Sequence, residues 1–226
     1  RGGQGPLCPG GGCEGYAPPV SGQRWKGRRD DARVVLTTDR DVFVCFLPVE
    51  AELLPLRDLP LHRPLQLGPD LLSPEPDLAE VARRALADPS RPVAEVLLDQ
   101  RVAAGLGNAY KSELCFLGPY PGDLREGDFW RPNRGVQPWE AVGTLGFEGA
   151  ASLFARGRDA LRANLGGWPR TTTWDRRREP DRRGPTHWVY ARAGKPCLRC
   201  GQAIQSRLWG ADARVTCWCP ACQPSL

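Results

Sequence analysis

The spacing of apolar residues changes along this chain, and the change separates segments of different predicted structure. Within 33–47, two runs of β-branched and aromatic residues, 34–37 and 42–46, flank the polar stretch Asp39-Arg40-Asp41. Two such runs joined by turn residues predict an antiparallel hairpin. Both of its faces would be apolar, so we expect the hairpin to belong to a β-sandwich, of which it forms only a part.

Further along, apolar positions recur every three or four residues, which is typical of amphipathic helices. This spacing predicts helices over 76–88 and 92–103, a third that Asn108 caps, and a fourth over 145–165. The glycine-containing stretch 105–107 separates the second helix from the third, which suggests a helix–two-turn–helix. Backbone N–H groups at such a turn and at a helix N-terminus can bind a phosphate.

The remaining stretches have weaker patterns. The opening of the chain is rich in Gly and Pro, and we expect it to be irregular, while 118–133 is predicted to be an exposed loop inserted in the helical region. The predicted fold class is therefore α+β, with a partial N-terminal β-sandwich, a helical domain and a C-terminal hairpin. The predicted boundaries are 1–32 (irregular), 33–72 (sandwich remnant), 73–184 (helical) and 185–226.

Four cysteines near the end of the chain have the spacing of a structural zinc site. Two Cys-x2-Cys pairs, Cys197 with Cys200 and Cys219 with Cys222, are separated by eighteen residues that read as a hairpin with arms 202–208 and 213–218. Bound Zn²⁺ would supply the folding free energy that so small a hairpin lacks. The alternative is a pair of disulfides in a secreted domain, but the chain shows no secretory signal. Cys217 breaks the spacing and is predicted not to be a ligand.

The charge distribution favours a nucleic-acid partner. The chain has a net charge of +5, but residues 1–150 carry −4 and residues 151–226 carry +9. Positive charge concentrated beside a zinc hairpin is typical of a phosphate-binding surface. The alternative is a solvated basic tail. No apolar run is long enough for a membrane span, so we expect no membrane association.

Three stretches together resemble one known family. They are Leu97-Leu98-Asp99-Gln100 with Gly105-Leu106-Gly107-Asn108-Ala109-Tyr110-Lys111-Ser112-Glu113, the finger from Trp188 through Gln223, and Leu67-Gly68-Pro69-Asp70-Leu71-Leu72. In this order they are similar to the formamidopyrimidine-DNA glycosylase and endonuclease VIII family. Asp99-Gln100 and the finger sequence are closer to the endonuclease VIII branch, of the actinobacterial type.

The resemblance implies an activity in base-excision repair. Members of the family have a β-sandwich, a helix–two-turn–helix domain and a zinc finger, with damaged duplex DNA in the cleft between them. They flip an oxidised base out of the duplex, attack C1′ with the amine of an N-terminal proline to form a Schiff base, and cleave the strand by β- and δ-elimination. An α-amine with a pKa near ~8 is partly neutral at physiological pH and is thus a usable nucleophile.

Carried over residue by residue, the resemblance assigns a short list of site residues. Asn108 matches the turn asparagine that contacts DNA phosphate, and Arg214 matches the hairpin arginine that reaches the lesion phosphates and takes part in δ-elimination. Lys111 is expected to add phosphate contact. The alternatives are a solvated helix lysine for Lys111 and an exposed hairpin arginine for Arg214. The four cysteines match the zinc ligands.

The opening of the chain departs from the family. It begins at Arg1 rather than with methionine, proline and glutamate, so we expect a chain that lacks its catalytic N-terminus and has little or no lyase activity. Borohydride trapping on abasic DNA would test this, since a strong covalent adduct through this N-terminus would contradict it. The alternatives are a non-catalytic, zinc-dependent damaged-DNA-binding protein and a zinc ribbon acting on RNA or ribosomes, although the stretch 105–113 argues against the latter. We expect a monomer in the bacterial cytoplasm, associated with the nucleoid.

Overall fold

The computed structural model describes residues 13–16, 28–39, 42–48, 51–61, 66–120, 128–165, 170–175, 179, 183–210 and 213–224. The chain forms two compact units, residues 1–62 and 63–226, whereas the sequence placed the corresponding boundary at residue 72. The first unit contains β1 (Cys13–Tyr16), β2 (Ala32–Thr37) and β3 (Val42–Phe46). The second contains α1 (Leu78–Ala85), α2 (Val93–Leu98), α3 (Asn108–Leu117), α4 (Gly146–Ala163), β4 (Gln205–Trp209) and β5 (Arg214–Trp218). Short 3-10 helices span Arg29–Asp31, Leu56–Leu61 and Val142–Leu145.

The first unit is a three-stranded antiparallel sheet in which β3 lies between β1 and β2. The predicted hairpin is confirmed, with Val35 opposite Val44 and Leu36 opposite Phe43. Strand β1 lies in the stretch that was expected to be irregular, so that expectation is wrong at these four residues. Val44 is buried whereas Val35, Leu36 and Phe43 are exposed.

The core of the second unit is built by its helices. Helix α1 begins where the Asp77 carboxylate accepts the backbone N–H of Glu80 at 2.8 Å, an N-cap that satisfies a free donor of the first turn. Its apolar side packs on α4, the longest helix. The two helices bury a shared set of apolar side chains, among them Val81, Ala85, Leu153 and Phe154. This packing supports the region that holds α2 and α3.

Helix α2 ends at Leu98, five residues before the predicted end. Asp99 has an extended backbone, and its carboxylate accepts the backbone N–H of Arg101 at 3.0 Å, a local bond that competes with helix continuation. Gln100 then closes the turn, because its amide oxygen accepts the N–H of Gly105 (3.0 Å) and its amide nitrogen donates to the carbonyl of Leu106 (2.8 Å). Gly105 has φ +118°, which favours glycine.

The segment after α3 is more buried than predicted. Phe129 is fully buried and packs in the helical core, so the expectation of an exposed loop over 118–133 is wrong at this residue; 121–127 lie outside the described residues. The end of α3 is fixed by the buried Arg156 of α4, whose guanidinium donates to the carbonyls of Leu117 (2.5 Å) and Gly118 (2.9 Å). A cation at this end complements the helix dipole.

The C-terminal strands β4 and β5 form the predicted hairpin, with Gln205 opposite Trp218 and Trp209 opposite Arg214. Strand β5 packs against α3. None of the helices in the described ranges combines the length and the hydrophobicity that are needed to cross a bilayer.

Candidate zinc centre and nucleic-acid interface

Four thiols converge at the base of the β4–β5 hairpin. The Sγ atoms of Cys197, Cys200, Cys219 and Cys222 all lie within 4.8 Å of one another. The sulfurs of Cys197 and Cys222 are 3.9 Å apart and those of Cys200 and Cys219 are 3.5 Å apart. A tetrahedron with Zn–S bonds of about 2.3 Å has edges of about 3.8 Å, whereas a disulfide bond is about 2.05 Å long. The geometry therefore fits a Zn²⁺ ion, and Cys217 lies outside the group.

The second cysteine pair is fastened to the helical unit by a buried glutamine. Gln223 accepts the backbone N–H of Cys219 at 2.9 Å and donates to the carbonyl of Val136 at 2.9 Å, while Gln137 donates to the Gln223 carbonyl at 2.5 Å. The backbone N–H of Arg199 points at the Cys197 sulfur at 3.4 Å. The metal-binding pairs are thus held at fixed positions relative to the segment that follows α3.

Three consecutive polar residues of α3, Lys111, Ser112 and Glu113, are buried against the C-terminal module. The Lys111 ammonium donates to the Thr216 hydroxyl at 2.7 Å and to the Val215 carbonyl at 3.2 Å. The Ser112 hydroxyl accepts the backbone N–H of Cys217 at 3.2 Å. Both contacts join α3 directly to β5.

Glu113 fixes the segment that leads into the zinc module. Its carboxylate accepts the backbone N–H groups of Trp188, Val189 and Tyr190, each at 2.8 Å, and also the hydroxyl proton of Thr172. A buried carboxylate that receives four hydrogen bonds is well stabilised, whereas any of these donors left alone would be costly. In the sequence, Glu113 and Ser112 carry no signal of this role beyond the family motif that contains them.

Asn108 is the first residue of α3, and Gly107 rather than Asn108 is the N-cap. The prediction that Asn108 caps the helix is wrong, because its side chain makes no capping hydrogen bond. Its amide oxygen is buried and has no hydrogen-bond partner within the described chain. An amide oxygen is an acceptor, so a phosphate contact at this helix N-terminus would use the donor N–H₂ of the Asn108 side chain.

Lys111 and Arg214 meet at a pocket between α2 and the hairpin, with a volume of about 290 Å³. Lys111 is 1% exposed, so the alternative of a solvated lysine is wrong. Burial lowers the pKa of Lys111 to about 8. Arg214 is the half-buried first residue of β5. The DNA contacts predicted for both residues stay predictions.

The same pocket holds an ion-pair network that the sequence did not indicate. Asp99 accepts hydrogen bonds from Arg91 at 3.0 Å and from Arg101 at 2.9 Å and 3.0 Å. The hydrogen bond from Arg101 is the largest cause of the low pKa of Asp99, about 2. The carboxylate is therefore ionised at any physiological pH. Only the family motif that contains Asp99 could have drawn attention to it.

One face of the hairpin is held by an arginine among tryptophans. The Arg207 guanidinium lies 3.8 Å from the ring centroid of Trp139 and 4.4 Å from that of Trp209. Trp139 also packs edge-on against Trp218 at 4.9 Å. Cation–π contacts of this kind fix the hairpin against the loop before α4.

Comparison with curated proteins decides the family. The chain is 40% identical over 213 residues to the probable endonuclease 8 2 of Streptomyces coelicolor. The match covers 92% of this chain and 67% of that protein. It belongs to the formamidopyrimidine-DNA glycosylase and endonuclease VIII family. The resemblance stated from sequence is thus confirmed. No protein-family model matches the chain.

A second relative in the family is the DNA-(apurinic or apyrimidinic site) lyase Nei2 of Mycolicibacterium smegmatis, 45% identical over 157 residues. That match covers 70% of this chain and 52% of the relative. The chain therefore spans about half the length of this relative.

Solved structures show the same fold. MutM (Fpg) of Thermus thermophilus matches 96% of this chain and 73% of its own at a TM-score of 0.58 and 24% identity. The Lactococcus lactis Fpg in complex with DNA that contains an abasic site matches 93% of this chain and 71% of its own at 0.59 and 18% identity. The mixed helix-and-strand fold with a C-terminal cysteine cluster is therefore an Fpg-like fold.

Proposed function

We propose that this chain provides the DNA-binding part of a base-excision-repair DNA glycosylase and AP lyase that acts on oxidised bases in duplex DNA. In this proposal, α2, the 99–107 turn and α3 form a helix–two-turn–helix, and 185–226 form a zinc finger. Residues 33–72 belong to the family's catalytic β-sandwich. Family membership and the Fpg-like fold support the proposal.

The observation that carries the proposal is the polar contact of α3 with the zinc module. Asn108 begins α3, and Lys111, one turn later, bonds to Thr216, two residues from Arg214. Both proposed DNA contacts are thus fixed to one rigid unit. Zn²⁺ bound by the four cysteines would be structural and would hold the hairpin folded.

Each site residue then has a defined part in binding. The Asn108 amide and the N–H groups at the start of α3 are positioned to bind one backbone phosphate. The Arg214 guanidinium can bind a neighbouring phosphate with two parallel hydrogen bonds. Phosphates held on both sides of a lesion favour the extrahelical base, whose unstacking costs a few kcal/mol. Arg214 would also stabilise charge on the phosphate that leaves in δ-elimination. None of the residues assigned here provides the amine that forms the Schiff base in the family.

The proposal is tested by comparing duplexes. We expect tighter binding to a duplex with a stable abasic-site analogue than to the intact duplex of the same sequence, because a missing base lowers the cost of distorting the strand. Fluorescence anisotropy of labelled duplexes measures both affinities. Equal affinities for the two duplexes would contradict a damage-binding function and favour a general nucleic-acid binder.

Asn108→Ala is expected to weaken binding to the abasic duplex about 10-fold, with little effect on folding. The reason is that the amide oxygen has no partner within the described chain that the substitution would disrupt, while the side-chain N–H₂ is the donor that this proposal assigns to phosphate. Asn108→Asp should weaken binding further, because a carboxylate repels phosphate. If both variants bind as the unmodified protein does while keeping its thermal midpoint, Asn108 is not a phosphate contact.

Arg214→Ala is expected to weaken the abasic complex and to lower the salt slope, the change of log Kd with log[salt], by about one unit. The loss of one phosphate contact releases about one counterion fewer. The measurement is anisotropy at several salt concentrations. The matched control is Arg131→Ala, which removes an exposed arginine that pairs with Asp128 in the segment after α3 and does not line the pocket. An unchanged slope for Arg214→Ala would assign Arg214 to the hairpin surface only.

We also propose that the protein acts as a monomer on the DNA of a bacterial nucleoid, in the cytoplasm. Light scattering after size-exclusion chromatography tests the oligomeric state, and a dimer mass would contradict it.

A further inference from the structure

The pocket between α2 and the hairpin holds more positive charge than the chain neutralises. The Lys111 ammonium has three donors, and the structure records two acceptors for it, both neutral. Within the described residues, no carboxylate lies at ion-pair distance from Lys111 or Arg214. A buried ammonium without an anion is unfavourable, and the third donor is free for one.

The carboxylates of the pocket do not fill this need. Asp99, 11% exposed, is already paired with Arg91 and Arg101. Glu95 on α2 also lines the pocket but makes no ion pair among the described residues. Four cations and two carboxylates therefore line the pocket, which leaves a net positive charge around Lys111 and Arg214.

The two arginines bound to Asp99 differ in exposure, and this decides which of them a ligand can recruit. Arg91 is 29% exposed, and its contact with Asp99 is partly buried. Arg101 is 75% exposed, and an ion pair at such an exposed position contributes little to stability. Arg101 can therefore leave Asp99 at small cost, while Arg91 continues to neutralise it.

We propose that this pocket is a second phosphate subsite, in which Lys111, Arg214 and a released Arg101 bind one tetrahedral phosphate group. The inference rests on the proposed function and deepens it, because it adds Lys111 and Arg101 to the binding of the phosphate already assigned to Arg214. The DNA strand is the favoured source, because Lys111 lies one turn from Asn108 on the same helix. A free phosphate ion has the same chemistry.

The first arm of the test is the salt slope for the abasic duplex. Because Lys111, Arg101 and Arg214 would share one phosphate, Arg101→Ala and Lys111→Met should each lower the slope by part of the about 0.9 that one phosphate contributes, and weaken binding about 5- to 10-fold near 150 mM salt. Arg101→Lys should restore most of the slope. Arg131→Ala, at an exposed arginine that pairs with Asp128 and does not line the pocket, is the matched control and should change neither value. Because Arg101 is exposed, its variants test the pocket even if Lys111→Met does not fold.

The second arm uses inorganic phosphate at constant ionic strength. Phosphate should compete with the duplex more strongly than chloride for the unmodified protein and no more strongly than chloride for Lys111→Met. If both Arg101 variants have the salt slope of the unmodified protein while Asn108→Ala still weakens duplex binding, the inference is overturned and the proposed function stands. Phosphate competition that is lost in Lys111→Met, combined with unchanged duplex slopes, would overturn the assignment to DNA. Equal binding of abasic and intact duplexes by the unmodified protein would instead contradict the proposed function.

Discussion

Glu113→Ala is expected to destabilise the zinc-bound protein by about 3–5 kcal/mol, because it leaves buried donors without an acceptor. These donors are the backbone N–H groups of Trp188, Val189 and Tyr190 and the hydroxyl of Thr172. Glu113→Gln should lose less, about 1.5–3 kcal/mol, since one oxygen remains while the amide N–H₂ faces other donors. Urea unfolding followed by circular dichroism measures the free energy of unfolding.

The control for this experiment is Glu148→Ala. Glu148 is an exposed carboxylate in the first turn of α4, so its removal should change the free energy of unfolding by less than about 1 kcal/mol. A loss below about 1 kcal/mol for Glu113→Ala would show that the polar face of α3 does not hold the module in place. The proposed fixed relation between Asn108 and Arg214 would then lack its support.

Removal of zinc is expected to unfold the hairpin while the helical core remains folded. The hairpin buries few apolar side chains of its own: Leu208 and Val215 are exposed, and a small cluster around Ile204 and Cys217 forms beside the cysteines. Zn²⁺ bound by the four cysteines would therefore supply much of the free energy that keeps β4 and β5 paired, as in other small zinc modules. Hydrogen exchange after chelation should show loss of protection over 205–218.

The zinc prediction is specific because it expects the hairpin and α4 of the same molecule to respond differently to chelation. Amides of α4, which lie in the helical core, should keep their protection after chelation and serve as the internal control. Cys219→Ser should reproduce the chelation result without a chelator, whereas Cys115→Ser, at a buried cysteine outside the metal cluster, should not release zinc. Unchanged protection of β4 and β5 in the chelated protein would mean that the contacts with α3 fold the hairpin without metal.

The zinc hairpin and the main helices were predictable because their signals are local. Cysteine spacing depends on the geometry of one ion, and a 3–4 residue period of apolar side chains reports burial against an apolar core. The early end of α2 was not predictable from that period, since a side-chain bond from Asp99 to the Arg101 backbone decides it. Strand β1 was missed because four residues in a Gly/Pro-rich stretch give no pattern.

The polar residues of α3 show a second reason for failure. Lys111, Ser112 and Glu113 are consecutive polar residues of a helix, and hydrophobic periodicity assigns polar positions to water. Their actual partners are a hydroxyl and backbone groups of the zinc module, far away in sequence. Polar residues that are buried against polar partners do not produce a periodic pattern in the sequence. Only the three-dimensional structure therefore shows that these residues connect Asn108 with Arg214, the two predicted DNA contacts.

Bound zinc and duplex affinity, measured in the same samples, test most directly whether the hairpin and α3 bind DNA together. Chelated protein is refilled in steps, zinc per chain is measured by elemental analysis, and the Kd for the abasic duplex is measured at each step. We predict saturation at one zinc per chain and a gain in affinity of at least about 100-fold that follows zinc content, since Arg214 is positioned only by the folded hairpin. Duplex affinity that is already complete without zinc, or a folded protein that never contains zinc, would contradict the claim that the zinc hairpin and α3 bind the damaged duplex together.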